Sequence, residues 1–375
     1  MTDVVRVREQ RTACNRRIGI ATLNAPASLN ALSLTMVDAL QACLTRWAAD
    51  PGMVAVVLDG EGDKAFCAGG DLRDLYQSIR DCGSASNPYA QQFFSREYRL
   101  DYLIHTYPKP VLCWGHGIVM GGGMGLMAGA SHRVVTERTR MAMPEIGIGL
   151  FPDVGGSWFL NRLPVGTGLF LALTGAPLNA ADALFAGLAD FCLPASSRDS
   201  VAGAMADTTW HDDAAANARL LSHLLQAQAE AATDLAARMA ASNLRSNFDA
   251  IRQVIGHDSL ADIAVRLGQA AGGDSWLGAA AANFLKGSPT SAALAHALLQ
   301  RARHLSLGDV FRMEFNAALG CCAHHDFAEG IRALLVDKDR KPRWQPARLD
   351  EVDAARIADH FEPRHAGPCP LADLR

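Results

Sequence analysis

An α/β layer structure followed by a helical C-terminal region is the fold class this sequence predicts, on three observations. Short β-rich runs alternate with helical periodicity through the first half of the chain. Glycine-dense turns separate those runs. From about Ala204 the composition shifts to Ala, Leu, Gln, Arg and Asp, with apolar residues at helical spacing and few β-branched runs. With 49% hydrophobic and 20% charged residues, a chain of 375 can bury a large core plus an appended region. The expected division is a core over residues 1–205 and a helical region over 206–375.

The elements follow in order. Residues 17–23 and 53–59 are β-rich and predict strands, and 34–49 repeats apolar residues at helical spacing. Residues 111–114 and 133–136 add two strand candidates, with glycine turns and helices between. The run 214–241 has long helical periodicity. Pro289 after Gly287-Ser288 marks another helix start, and 337–346 is a charged, proline-punctuated loop. There is no internal repeat and no low-complexity tail.

Several function classes lose weight. A net charge of -4, from 35 basic and 39 acidic residues, supplies no broad basic field for nucleic acid and no polybasic membrane cluster. Residues 111–130 are uncharged, but seven of them are glycines in turn-like clusters, which argues against a spanning helix despite the helix-dimer spacing of Gly121 and Gly125. Nine cysteines without a Cys-x-x-Cys pair fit reduced thiols. The start has no apolar h-region and carries an early acid, so the expected location is cytoplasmic.

The chemistry concentrates in glycine turns and isolated acids. Ala65-Phe66-Cys67-Ala68-Gly69-Gly70-Asp71-Leu72 follows a strand and enters a helix, where the Gly70 N–H either holds a developing oxyanion or simply serves a tight turn. Gly121-Gly122-Gly123 repeats the pattern, and two such turns can aim two amides at one oxygen, each worth about 10²–10³ in rate. A dinucleotide reading fails, because Gly115, Gly117 and Gly121 have the wrong spacing. Glu145 and Asp153 sit among Met143, Ile148, Leu150 and Phe151. Burial there raises a carboxyl pKa, which suits a general-base pair or a nucleophile with a helper. The structural alternative is that Asp153 caps a helix near Val154 and Glu145 bonds backbone amides. Cys321-Cys322 with His324-His325-Asp326 resembles a metal cluster, but adjacent helical residues point apart and no second ligand group matches, so no metal is expected. Gly155-Gly156-Ser157-Trp158-Phe159 is not a serine nucleophile elbow, so any hydrolysis must use a carboxylate.

At 65–72 and 117–125 the chain resembles the crotonase (enoyl-CoA hydratase/isomerase) superfamily. Residues 143–156, 93–98 and 325–339 are similar to one branch of it, the 3-hydroxyisobutyryl-CoA hydrolases. The resemblance implies a crotonase-type spiral of ββα units, oxyanion amides at Gly70 and Gly122, and a CoA moiety along Ala68, Gly69 and Asp71. It makes Glu145 and Asp153 the working acids and sets Glu97 against the substrate's hydroxyl end. Gly125 stands where the hydratase pattern places its first catalytic glutamate, so thioester hydrolysis is expected over hydration. Ala27-Ser28-Leu29-Asn30-Ala31-Leu32 keeps the family's Asn-Ala-Leu but lacks the basic residue before it, which leaves Lys338 and Lys341 as CoA-phosphate candidates. No cofactor is expected beyond the CoA of the substrate. The partner is a small-molecule acyl-CoA, and homo-oligomers occur in the superfamily. A hydratase/isomerase and a non-catalytic acyl-CoA binder are the rival readings.

Overall fold

The computed structural model describes residues 4–83, 86–256, 259–273, 275–365 and 367–375. The chain divides into two compact units of interleaved segments. One holds the chain up to Gly70, Leu100–Met141 and Leu178–Arg245; the other holds Asp71–Arg99, Ala142–Pro177 and Ser246–Arg375.

The first unit is built on two sheets. The larger has six strands in the order β1 (Val5–Arg11), β2 (Arg17–Leu23), β3 (Met53–Gly60), β5 (Val111–Gly115), β7 (His132–Val135) and β10 (Phe191–Cys192). β1 runs antiparallel to β2, and the other pairings are parallel. β2 and β3 are buried along nearly their whole length, as parallel strands covered on both faces must be. β1 is the edge, and its exposed Arg6, Arg8, Glu9 and Arg11 discourage pairing with another chain. The smaller sheet has the order β4 (Ala65–Cys67), β6 (Ile118–Met120), β8 (Arg140–Ala142) and β9 (Leu178–Asn179).

The helix Leu34–Ala49 occupies the residues expected for it. Ser33 caps it by accepting the Met36 N–H, and its buried stripe includes Met36, Val37, Leu40, Leu44 and Trp47. Each such side chain contributes about 1.5–3 kcal/mol on burial. A Cβ on Gly19 would come within 2.6 Å of the Trp47 ring, so only glycine lets this helix lie on β2. The run 214–241 forms the helix Ala214–Ala231 and, after an interruption at Thr233-Asp234, the short helix Leu235–Arg238. Asp and Thr favour such breaks because their side chains compete for backbone groups.

Helices make up the second unit. Pro289–Ala302 starts where expected, with Ser288 accepting the Ser291 N–H. Leu307–Ala323 buries Val310, Phe311, Glu314 and Phe315, and Arg332–Val336 forms a π-helical turn before the irregular segment 337–346.

Candidate active site

Two glycine turns touch each other within the first unit. After β4 the chain bends through Ala68, Gly69 and Gly70; Gly69 has φ +105, and its carbonyl accepts the Leu32 N–H at 2.8 Å. Asn30 of the Asn-Ala-Leu motif is fully buried and ties this bend down. Its Nδ2 donates to the carbonyls of Ala65 and Glu61 at 2.9 and 3.1 Å, and its Oδ1 accepts the Ala25 N–H at 2.9 Å. After β6, Gly121 turns with φ +48 into the helix Gly122–Ala128. A Cβ on Gly69 would lie 3.5 Å from the Met120 carbonyl oxygen, and one on Gly123 would overlap the Cys67 backbone. Among the described residues neither the Gly70 nor the Gly122 N–H donates a hydrogen bond. Gly122 opens its helix, where N–H groups lack intrahelical acceptors and the dipole is positive. Gly125, one turn further, is buried and brings no side chain. Asp71 caps the helix Leu72–Cys82 by accepting the Arg73 N–H at 3.2 Å.

In the second unit the two expected acids belong to a buried set of carboxyls. Glu145 opens a 3₁₀ turn, Glu145–Ile148, and is 4% exposed. Its Oε2 has no hydrogen-bond partner among the described residues. Asp153 is 5% exposed and Glu97, on the helix Pro88–His105, is 2% exposed. The hydroxyl of Tyr98 donates to Asp153 Oδ2 at 2.8 Å. Burial first, then the charge of Asp153, pushes Glu97 and Glu145 well above the usual carboxyl range. Asp153 rises to about 6, since burial raises it and the Tyr98 hydrogen bond holds it down. The three carboxyls thus titrate as an interacting set, with burial and mutual repulsion disfavouring its fully ionised form.

Asp153 does not cap a helix: Gly155, with φ +83, precedes the short helix Gly156–Phe159, which has no side-chain cap. The loop is held instead by Glu314, which is fully buried. Its Oε2 accepts the Gly155 N–H and its Oε1 the Ser157 N–H, both at 2.8 Å. Just before them Val154 is kept at φ +52, a costly conformation for a β-branched residue that needs such over-determination. Burial outweighs the two amide bonds and raises Glu314 to about 8.

Sequence reasoning assigned no role to Glu314 or Tyr98. An acid between Met313 and Phe315 in an apolar helix is the one signal that marks Glu314. Lys338 and Lys341 lie on exposed backbone after the π-helical turn. His324 Nε2 pairs with Asp359 Oδ2 at 2.7 Å and His325 Nε2 with the Arg343 carbonyl at 2.9 Å, so the two imidazoles serve different partners. Among the described residues no group of three or more His, Cys, Asp or Glu side chains is placed to hold a metal ion, and no helix is long and apolar enough to cross a membrane.

The family described as Enoyl-CoA hydratase/isomerase matches residues 18–361. The 3-hydroxyisobutyryl-CoA hydrolase, mitochondrial, of Gallus gallus is 38% identical over 350 residues, covering 92% of this chain and 86% of its own. The same-named protein of Homo sapiens is 37% identical over 349 residues, with 92% and 86% covered. Among solved structures, a carnitinyl-CoA dehydratase from Mycobacterium thermoresistibile superposes with TM-score 0.83 at 36% identity, covering 96% of this chain and 97% of that one. An enoyl-CoA hydratase from Rhodobacter sphaeroides 2.4.1 gives TM-score 0.80 at 34% identity, with 96% and 97% covered. The fold is thus the crotonase-type α/β fold. The cytoplasmic expectation is overturned, because these curated relatives are named as mitochondrial. Reduced thiols and low net charge do not distinguish one reducing compartment from another. With the match spanning nearly its whole length, the chain belongs to the enoyl-CoA hydratase/isomerase family.

Proposed function

We propose that this chain hydrolyses the thioester of a short branched 3-hydroxyacyl-CoA, with 3-hydroxyisobutyryl-CoA of valine degradation as the substrate and 3-hydroxyisobutyrate and CoA as products. The observation that carries the reading is the buried carboxyl set, in which Glu145 keeps an unpartnered oxygen and feels the charge of Asp153. Buried acids without a task are costly. The names of the curated relatives support the same substrate.

In this mechanism the N–H groups of Gly70 and Gly122 receive the oxygen of the thioester carbonyl as it becomes an oxyanion. Glu145 either attacks the carbonyl carbon to give a mixed anhydride that water then opens, or takes a proton from the attacking water. In both routes Asp153 orients the attacking group or handles the proton. The C–S bond breaks, and the departing thiolate leaves as CoA thiol after protonation. Glu97 contacts the substrate's hydroxyl, Ala68, Gly69 and Asp71 line the path of CoA, and Lys338 meets a CoA phosphate. No cofactor beyond the substrate's CoA enters.

Hydration is the second reading, favoured by the dehydratase and hydratase names of the two solved relatives. Gly125 weighs against it, since the position contributes no carboxylate. A thiol reagent detects CoA released by a hydrolase, whereas a hydratase changes enoyl absorbance on crotonyl-CoA without free thiol. Glu145→Gln is expected to lose thiol release while CoA-ester binding persists, and near-normal release by that variant refutes the assignment. Solvent ¹⁸O appearing in the Glu145 carboxylate after a single turnover separates attack from general-base catalysis.

A further inference from the structure

A second pocket lies wholly within the strand-bearing unit. A cavity of about 260 Å³ opens between the large sheet and the helix Arg198–Asp207. Its floor is apolar: Ile18, Ile20, Leu112, Trp114 and Val201 are each at most 2% exposed. Ile18 and Ile20 stand on the sheet face opposite the one where Gly19 meets Trp47, because neighbours along a strand alternate sides, and Val201 faces them from the helix.

Asp59, near the end of β3, reaches this cavity and is only 6% exposed. Thr22 hydrogen-bonds its carboxyl, and Arg198 Nη1 stands 3.8 Å from Oδ2. Its Oδ1 has no hydrogen-bond partner among the described residues. Arg8 and Arg198 line the same space, and both act on the Asp59 charge, while Arg6 is engaged with Glu61 at 2.9 Å. A buried carboxylate oxygen without a donor is a costly feature that a ligand can relieve. An apolar pocket with a few convergent polar groups is the usual form of a small-molecule site.

The three parts specify a ligand. An alkyl body fits the floor, a hydrogen-bond donor satisfies Asp59 Oδ1, and a carboxylate meets the guanidinium groups of Arg8 and Arg198. We propose that this cavity binds a short aliphatic carboxylic acid carrying a hydroxyl or ammonium donor. Two sources share that chemistry: a branched hydroxy acid, which is the product class of the hydrolysis proposed above, and an aliphatic α-amino acid. The site stands or falls independently of thioester hydrolysis, since it is read by binding alone.

Titration of the full-length protein with 3-hydroxyisobutyrate and with L-valine tests it. The readouts are the ¹H–¹⁵N indole signal of Trp114, identified by its loss in Trp114→Phe, and isothermal titration, which needs no assignment. At least one acid is expected to move the Trp114 signal saturably at millimolar concentration. Arg8→Glu, an exposed change on the edge strand, should weaken that binding about tenfold or more. Asp59→Asn separates the sources, because an amide oxygen still accepts from a hydroxyl but offers no charge to an ammonium. Hydroxy-acid binding should survive it within about threefold, and amino-acid binding should fall about tenfold. A Trp114 signal that neither acid moves, or binding that Arg8→Glu leaves unchanged, overturns the proposal.

Discussion

Glu314→Gln probes the clamp behind Asp153, and its consequence changes with pH. The carboxyl titrates at about 8 in the folded protein against an ordinary value of 4.5, because burial outweighs the bonds from Gly155 and Ser157. Between those values the folded chain holds a proton that the unfolded chain has released, so stability falls as pH rises through the interval. At about 1.4 kcal/mol per pH unit, the ceiling on that loss is roughly 5 kcal/mol. Glutamine does not titrate. It retains one acceptor for two N–H donors and sets its own NH₂ against the second, which costs about 1–3 kcal/mol. Near pH 5 the variant is therefore expected to be less stable than the parent by about that amount; towards pH 9 the gap closes or reverses. Urea unfolding at three pH values measures this. The thiol-release assay should show kcat lowered about ten- to a hundredfold with KM nearly unchanged, as for other groups that orient a catalytic residue. A stability difference that stays constant from pH 5 to 9 would refute the raised Glu314 pKa, and unchanged kcat would refute its hold on Asp153.

Further predictions concern the same two regions. Tyr98→Phe removes the 2.8 Å donor to Asp153, so its pKa rises above about 6 and the acid limb of kcat/KM moves to higher pH; an unmoved limb removes Asp153 from the proton path. Gly123→Ala places a methyl 2.8 Å from Cys67 Cβ and into its backbone, costing about 1–3 kcal/mol in urea unfolding and displacing the neighbouring Gly122 amide. Wild-type stability with full thiol release in that variant would show that the two turns are not tightly packed.

Local pattern carried much of the fold. Strand-forming residues at 17–23 and 53–59 needed only their β-rich composition, and the helix Leu34–Ala49 needed only its 3.6-residue period. The two- and three-residue strands β4, β6, β8, β9 and β10 were not legible, because alternation needs about four or more residues to stand out. Glycine clusters marked both turns, and apolar flanks marked Glu145 and Asp153 as acids in need of an explanation.

The sequence by itself determined the layer class, the glycine bends and the identity of two buried acids, since each depends on neighbours within a few positions. Tertiary structure alone decided which groups act on those acids. Tyr98 meets Asp153 across 55 positions and Glu314 reaches Gly155 across 159. It also decided that burial and mutual repulsion raise these carboxyls together, and that Asp59 faces a cavity with one oxygen unsatisfied. Partner choice and protonation are set by burial and through-space distance, and neither quantity is encoded in the order of residues along the chain.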